Sequence, residues 1–581
     1  MKDFFEITEK SSCAPRTRAL NYLLIMSYET RHNTQTGRQT KAGLMKTISL
    51  IIALVAASCL AQTEPTIEWQ KCLGGIHDDM ARSISQTADG GFIVAGCSHS
   101  NDGDVSGNHG FDDYWVVKLN SSGDIQWQNS LGGSDDDRAF SIEQTTDGGF
   151  IVAGESESND SDVTGNHGDY DCWVVKLNSS GVIQWQKSLG GSDEERVHSI
   201  SQTADGGFIV AGYSESNDGD VSGNHGGRDY WVVKLNSSGN IQWQKCLGGS
   251  YDDRACSISQ AADSGFIVAG YSISNDGNVS GNHGGYDYWV VKLNSSGDID
   301  WQKSLGGSDG DAAHSISQTA DGGFIVAGYS WSNDGDVSGN HGNQDYWVAK
   351  LNSSSDIQWQ DCLGGSYDDW AYSISQAVDG GFIVAGKTES NNGNVSGYHG
   401  GLSDYWVLKL NSSGVLEWQK CLGGNSWDEA KSISQTADGG FIVAGFSYSN
   451  NGDVSGNHGV TDYWVVKLSP ETGITENFTP EAFTISTYPN PFNSAVSITA
   501  PAGAEIEIFD IEGRMVDVIA RPEAAAISSI QGDCFGGQSP SRNDGKGEFT
   551  WQPSPSIGSG IYLVRAIRGE QEVTKRIVYL K

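Results

Sequence analysis

Residues 183–240 read IQWQKSLGGSDEERVHSISQTADGGFIVAGYSESNDGDVSGNHGGRDYWVVKLNSSGN, and the chain repeats this unit seven times. The Trp of its I/L-x-W-Q motif stands at Trp69, Trp127, Trp185, Trp243, Trp301, Trp359 and Trp418, spaced 58 residues five times and then 59. A fixed period of this length marks a repeat architecture. Within the unit, His198–Thr203 leads into Asp205-Gly206-Gly207, a tight hairpin turn signal. Phe208–Tyr213 is a short apolar run, as in a strand buried on both faces. Tyr230–Leu235 alternates, Asn236–Gly239 turns the chain, and Ile241–Gln244 alternates again. No helical period appears in the repeats. Four short antiparallel strands in each of seven units predict an all-β, seven-bladed β-propeller.

The phase of the repeat predicts how the ring closes. The first copy is preceded by a lone Trp strand, Ile67–Leu73, and the seventh copy ends after its third strand at Leu468. The N-terminal strand is therefore expected to complete the last blade and leave no open edge. The unit resembles the β-propeller repeats of secreted bacterial proteins, with a strand order like that of a WD-repeat blade. The segments carrying this resemblance are D-G-G-F-I-V-A-G, D-Y-W-V-V-K-L and I-Q-W-Q across residues 66–468. It implies fold and not ligand.

Composition agrees. The 581 residues include 76 Gly and 11 Pro, a turn-dense balance without a collagen period. Acids outnumber bases 73 to 36, a net charge of −37, which argues against nucleic acid or an anionic membrane surface as partner. Residues 1–44 have no globular pattern and read as a non-native upstream leader, a start-site misassignment ahead of Met45, the competing reading being a real extended leader. Met45–Ala61 reads as a secretory signal, with Lys46, an apolar run over Ile48–Val55 and small residues up to Ala61. The run is too short for a transmembrane anchor. Beyond Ala61 the chain carries 28 bases and 69 acids, near −41. Cys72, Cys246, Cys362 and Cys421 share one repeat position with Ser130, Ser188 and Ser304, which reads as a small buried slot rather than a disulfide framework.

Residues 469–483 read as a linker and 484–581 as a separate module. The module contains Y-P-N-P-F-N (Tyr488–Asn493), I-E-I-F-D-I-E-G-R (Ile506–Arg514), S-G-I-Y-L-V-R (Ser559–Arg565) and a terminal K-R-I-V-Y-L-K. These motifs are similar to the type A sorting domain of type IX secretion cargo. The resemblance implies a small immunoglobulin-like β-sandwich, engagement of the type IX machinery, and an extracellular or outer cell-surface destination. Arg521–Gly547, a polar insert with Cys534, departs from the family pattern and is expected to loop out.

Two sets of candidate site residues follow from comparing the copies. In copy one, Asp102-x-Asp104-x-Ser106-Gly107 is followed by Asp113 at the twelfth position, the oxygen-ligand spacing of a calcium loop. It recurs as Asp160/Asp162/Asp171, Asp218/Asp220/Asp229, Asp276/Asn278/Asp287, Asp334/Asp336/Asp345 and Asn451/Asp453/Asp462, and weakens at Asn392/Asn394/Asp404. Calcium is the one cofactor expected; turn chemistry is the competing reading. The loop histidine, one per blade, reads as structural. The acid pairs Asp78-Asp79, Asp136-Asp137 and Glu194-Glu195 read as a solvated acidic rim.

The second set consists of positions that vary while the framework does not. Arg82, Phe140, Arg196, Arg254, Trp370 and Tyr372 flank the first strand. Tyr213, Tyr271, Trp331 and Tyr448 follow the second. Aromatic and Arg side chains varying on a fixed scaffold suggest a recognition surface on the long-loop face. The expectation is a monomeric secreted or cell-surface binding or adhesion propeller for an extracellular glycan or protein. The near-identity of the blades argues against an enzyme. The alternatives are a secreted polysaccharide-acting hydrolase or lyase with one asymmetric site in the central channel, or a structural surface-layer repeat protein.

Overall fold

The structure, a computed structural model, describes residues 64–471 continuously, and strands with a few joining residues between 486 and 579. The leader 1–44, the signal 45–61, most of the linker and insert residues 521–545 lie outside the described residues. The chain divides into two units, at Gly473/Ile474. All described elements are strands, and no helix is long and apolar enough to cross a membrane.

The first unit is a ring of seven four-stranded antiparallel sheets. Blade 3 is typical: Glu195–Gln202, Phe208–Ser214, Asp229–Leu235 and Ile241–Leu247, hydrogen-bonded in that order. Its second and third strands are buried throughout, which explains their continuous apolar runs. The first strand alternates buried and half-buried residues, because one of its sides faces the axis of the ring. A bulge between Val197 and Ser199 sits opposite Gly212, and a Cβ there would collide with the Arg196 carbonyl. The hairpin at Asp205-Gly206-Gly207 closes with Gly206 at φ +78°. Its Asp205 carboxylate accepts from Gly207 N–H (3.0 Å) and from the buried Lys234 ammonium (3.1 Å).

Blades pack through large side chains. Tyr230 of blade 3 and Trp289 of blade 4 lie 4.5 Å apart between centroids, and the Tyr230 hydroxyl donates to the Trp289 carbonyl at 2.8 Å. Each core cluster therefore spans two blades; the one between blades 2 and 3 joins Ile151 and Val174 to Phe208, Val210, Trp231 and Val233. The ring closes as expected: Ile67–Leu73 pairs antiparallel with Asp462–Leu468, and Gln70 Oε1 accepts from Trp464 Nε1 at 2.8 Å. Cys72, Cys246, Cys362 and Cys421 are buried and free; Ser130, Ser188 and Ser304 in the same slot are buried too and donate to the loop carbonyls of Ser106, Thr164 and Ser280.

The second unit contains two antiparallel sheets. One joins Ser486–Tyr488, Val496–Pro501 and Lys546–Trp551; the other joins Met515–Ala520, Glu505–Asp510, Gly560–Arg568 and Gln571–Tyr579. Trp551 of the first meets Tyr562 of the second edge to face at 5.4 Å.

Candidate functional site: the channel mouth and the blade junctions

The two long connections of each repeat share one face. In blade 3, the residue Ser192 N–H donates to Asp218 Oδ1 at 2.8 Å and Asp220 N–H to the Gly190 carbonyl at 2.9 Å, tying one loop to the other. Next to this face the first strands of neighbouring blades surround the central channel, and the variable positions line it. Arg82 of blade 1 lies over the Phe140 ring of blade 2 at 5.7 Å; Phe140 meets His198 of blade 3 at 5.2 Å. His314 meets Tyr372 at 5.2 Å, and the Lys431 ammonium sits 3.5 Å from the Tyr372 centroid. These residues belong to the strands themselves, whose observed start at Glu195 precedes the expected His198. They face the axis rather than the rim.

The lining is asymmetric. Blades 2 to 4 supply a charged wall. Arg138 is held by Asp112 and Asp136 (both 2.7 Å), Arg196 by Glu194 and Glu155 (3.3 Å to the latter), Arg228 by Glu215 (2.5 Å) and Glu194 (3.1 Å), and Arg254 by Asp252 (3.1 Å). Arg254 also lies over Tyr213 (5.3 Å) and Tyr271 (6.0 Å). Blades 5 to 7 supply an aromatic wall. Tyr329 stacks on Trp370 at 5.0 Å, Trp427 stacks on Tyr448 at 5.6 Å, and Trp331 is 52% exposed. Within this wall Glu429 bonds Lys431 (2.5 Å) and lies 3.6 Å from Lys387, which also bonds Glu389 at 3.0 Å. Burial pushes Lys431 down to about 8, with Glu429 opposing, and pushes His198 to about 4 and His314 to about 3. Burial raises the Glu155 carboxyl; at Glu429 burial is outweighed by Lys431 and Lys387, and the net direction is down. The sequence comparison found these positions but could not show that they converge across blades.

The expected calcium residues do not converge. Asp102, Asp160, Asp218, Asp276 and Asp334 each accept a backbone N–H from the neighbouring loop, as Asp102 Oδ1 does from Ile76 (3.0 Å). Asp104, Asn278 and Asp453 take the first loop glycine N–H at 3.2–3.4 Å. Ser106 Oγ accepts from Gln128 (2.6 Å). Asp162, Asp220 and Asp336 lie at the corresponding positions of their own blades. The twelfth residues Asp113, Asp171, Asp229, Asp287, Asp345 and Asp462 turn inward, and one carboxylate oxygen of each meets the loop histidine, at 2.7 Å for His109 and Asp113. Among the described residues no group of three or more His, Cys, Asp or Glu is placed to hold a metal ion.

What the inward-turned carboxylates do meet is a second acid. Asp113 faces Asp137 beside Gly132, Asp171 faces Glu195, Asp229 faces Asp253, Asp287 faces Asp311, Asp345 faces Asp369, Asp404 faces Asp428, and Asp462 faces Asp79. All fourteen have no solvent exposure. In all seven loop-derived aspartates Oδ1 has no hydrogen-bond partner. The second acid is better served: Asp137 Oδ2 accepts from Gly133 N–H (2.7 Å) and Ser158 Oγ (2.9 Å). Burial is the largest cause raising both members, to about 6 for Asp113 and about 7 for Asp137. The acid pairs are thus not a solvated rim: Asp79, Asp137 and Glu195 are sealed between blades because serine hydroxyls and a glycine N–H bind them there.

Residues 486–531 match the family model described as a secretion system C-terminal sorting domain. The Regulatory protein FlaEY of Caulobacter vibrioides is 22% identical over 432 residues, covering 65% of this chain; the chain spans 44% of that relative's length. Among solved structures, the crystal structure of a GH43_12 retrieved from capybara gut metagenome is similar at 9% identity and TM-score 0.25, over 89% of this chain and 91% of that one. The expectation of a non-enzyme is withdrawn. The near-identity of the blades does not extend to the channel: the framework repeats, but the lining breaks the sevenfold symmetry at Glu429, Lys431 and Lys387. The chain is a seven-bladed propeller with a C-terminal sorting domain that directs type IX export to the cell surface or extracellular space.

Proposed function

We propose that this exported propeller engages an extracellular saccharide across its channel mouth. The observation that carries the reading is the aromatic wall of blades 5 to 7, with Trp331 exposed and Tyr329–Trp370 and Trp427–Tyr448 stacked, together with the hydrogen-bonding Lys387, Glu389, Glu429 and Lys431 side chains of the same wall. A sugar ring has apolar faces and hydroxylated edges, so flat rings interleaved with polar groups suit it. Exposed aromatic surface held on a rigid ring is the kind that marks a binding site. A second reading, turnover of the bound polysaccharide, is favoured by the symmetry break, where Glu429 and Glu389 share the Lys387 ammonium.

The test is isothermal titration of the full-length protein with a panel of soluble polysaccharides at fixed salt, with reducing-end release measured in parallel. Binding weakened about tenfold or more in Trp331→Ala and Trp370→Ala, at unchanged Tm, supports the reading. Binding unaffected by both substitutions sinks it. Reducing-end release lost in Glu429→Gln would move the second reading into first place.

A further inference from the structure

We infer that the channel holds a carboxylate subsite at Arg82 and that the saccharide it takes is acidic, of the uronic-acid class. The inference rests on the saccharide reading above. Residues 66–468 contain five arginines, Arg82, Arg138, Arg196, Arg228 and Arg254, and all five stand at the channel mouth. Four of them are held by carboxylates. The two channel lysines are also paired, Lys387 with Glu389 and Lys431 with Glu429.

Arg82 is the exception. Among the described residues it has no ion pair and no hydrogen bond, and its one recorded contact is the Phe140 ring. The buried carboxylate of Glu155 is already shared by Arg138 and Arg196. The surroundings add to the effect. Burial is the largest cause lowering His198 and Lys431; Arg82 adds to it at both, alongside Arg196 and Arg254 at His198 and against Glu429 at Lys431. An unpartnered guanidinium stands out in a protein whose net charge is −37. A guanidinium in such a place presents a planar fork to an incoming carboxylate, and bidentate Arg–carboxylate pairs are strong and geometrically selective. The Phe140 ring beside it offers a flat apolar surface for the sugar face.

The experiment compares an oligogalacturonate with the same oligomer methyl-esterified, titrated into the full-length protein and into Arg82→Gln at fixed ionic strength. The expected result is at least about a tenfold preference of the native protein for the free acid. In Arg82→Gln that preference falls to near unity, while affinity for the ester is unchanged. Equal binding of acid and ester by the native protein overturns the inference and leaves the saccharide reading standing. So does an Arg82→Gln variant that weakens both alike. Saturable binding of poly-glutamate as tight as that of the oligogalacturonate assigns the subsite to a protein partner and overturns it too. No binding of any saccharide, acidic or neutral, overturns both readings. Tm and circular dichroism of Arg82→Gln separate a lost contact from a lost fold, and Arg82→Lys is expected to recover part of the preference.

Discussion

Tyr463 of blade 7 donates its phenol to the backbone carbonyl of Trp115 in blade 1, at 2.9 Å across the seam where the two ends of the propeller meet. The same bond joins Tyr114 to Trp173, Tyr230 to Trp289, Tyr288 to Trp347, Tyr346 to Trp406 and Tyr405 to Trp464. The seam therefore uses the same hydrogen bond as the junctions inside the ring. Tyr463→Phe keeps the packing and removes only this bond, so it is expected to cost about 1 kcal/mol in chemical denaturation. A loss within error of zero would show that this bond adds nothing to the packing that holds blade 7 on blade 1.

One junction lacks the bond. Blade 2 has Cys172 where the other blades have Tyr, facing Trp231 of blade 3 from a fully buried position. Cys172→Tyr should restore the missing phenol and its carbonyl acceptor, raising Tm by a few degrees. A fall in Tm would mean that blades 2 and 3 have closed up over the shorter side chain, since overpacking a dense core is destabilising.

The seven acid pairs make stability depend on pH in a definable direction. A carboxyl whose folded pKa lies above its unfolded value holds its proton more tightly in the native state. The stability it contributes is complete below the unfolded pKa and declines as pH rises through the folded one. With the ordinary value at 3.8 and folded values of about 6 to 7 at Asp79, Asp113, Asp137 and Asp369, Tm should fall from about pH 4 to pH 8. The groups facing the Asp113–Asp137 pair are Ser156, Ser158, Gly133 N–H, His109 and Asp162, none of them a fixed cation. The turn carboxylates Asp89, Asp147, Asp205 and Asp321 act the other way. They are held at about 2 first by their Thr partners, and their contribution is lost in stronger acid. Asp113→Asn removes one buried charge, so it should flatten the pH profile and stabilise the protein at pH 8 by about 2 kcal/mol, a tenfold change in proton affinity being worth about 1.4 kcal/mol. A Tm that is level between pH 5 and 8 would refute the account that burial raises these carboxyls.

Calcium offers a complementary check. If the junction carboxylates are neutralised by protons, EDTA and millimolar calcium should each leave Tm unchanged to within about a degree at pH 6, since only a ligand of the native state shifts it. A clear rise with calcium, lost in Asp113→Asn, would show that a cation takes the place between the paired oxygens.

The propeller was legible because its signals are local and sevenfold: the Asp205-Gly206-Gly207 turn, the buried run from Phe208 and the unpaired strand Ile67–Leu73 all lie where the pattern puts them. The loop histidines were legible for the same reason, as hydrogen-bonding partners of Asp113 and its counterparts. The acid pairs were not. Asp136 and Asp137 are adjacent in sequence and look alike, yet one faces Arg138 and the other is sealed between blades. Only the position of Gly132 and of the serines at 156 and 158 separates them, and that information is tertiary. The channel lay between these cases: Arg82 and Tyr372 stood out as variable, but the meeting of residues hundreds of positions apart is a product of ring closure.

That closure has a consequence for descent. The strand completing the last blade precedes the first repeat, so the joint between chain ends lies outside the repeated unit. Recombination between two copies inserts or removes one whole period and leaves both end strands as they were. Every product, whatever its number of copies, begins with a strand seeking a partner and ends with a strand lacking one. Such a gene can lengthen or shorten by blades without ever exposing a raw edge, and the near-identity of its present copies is what such a history leaves behind.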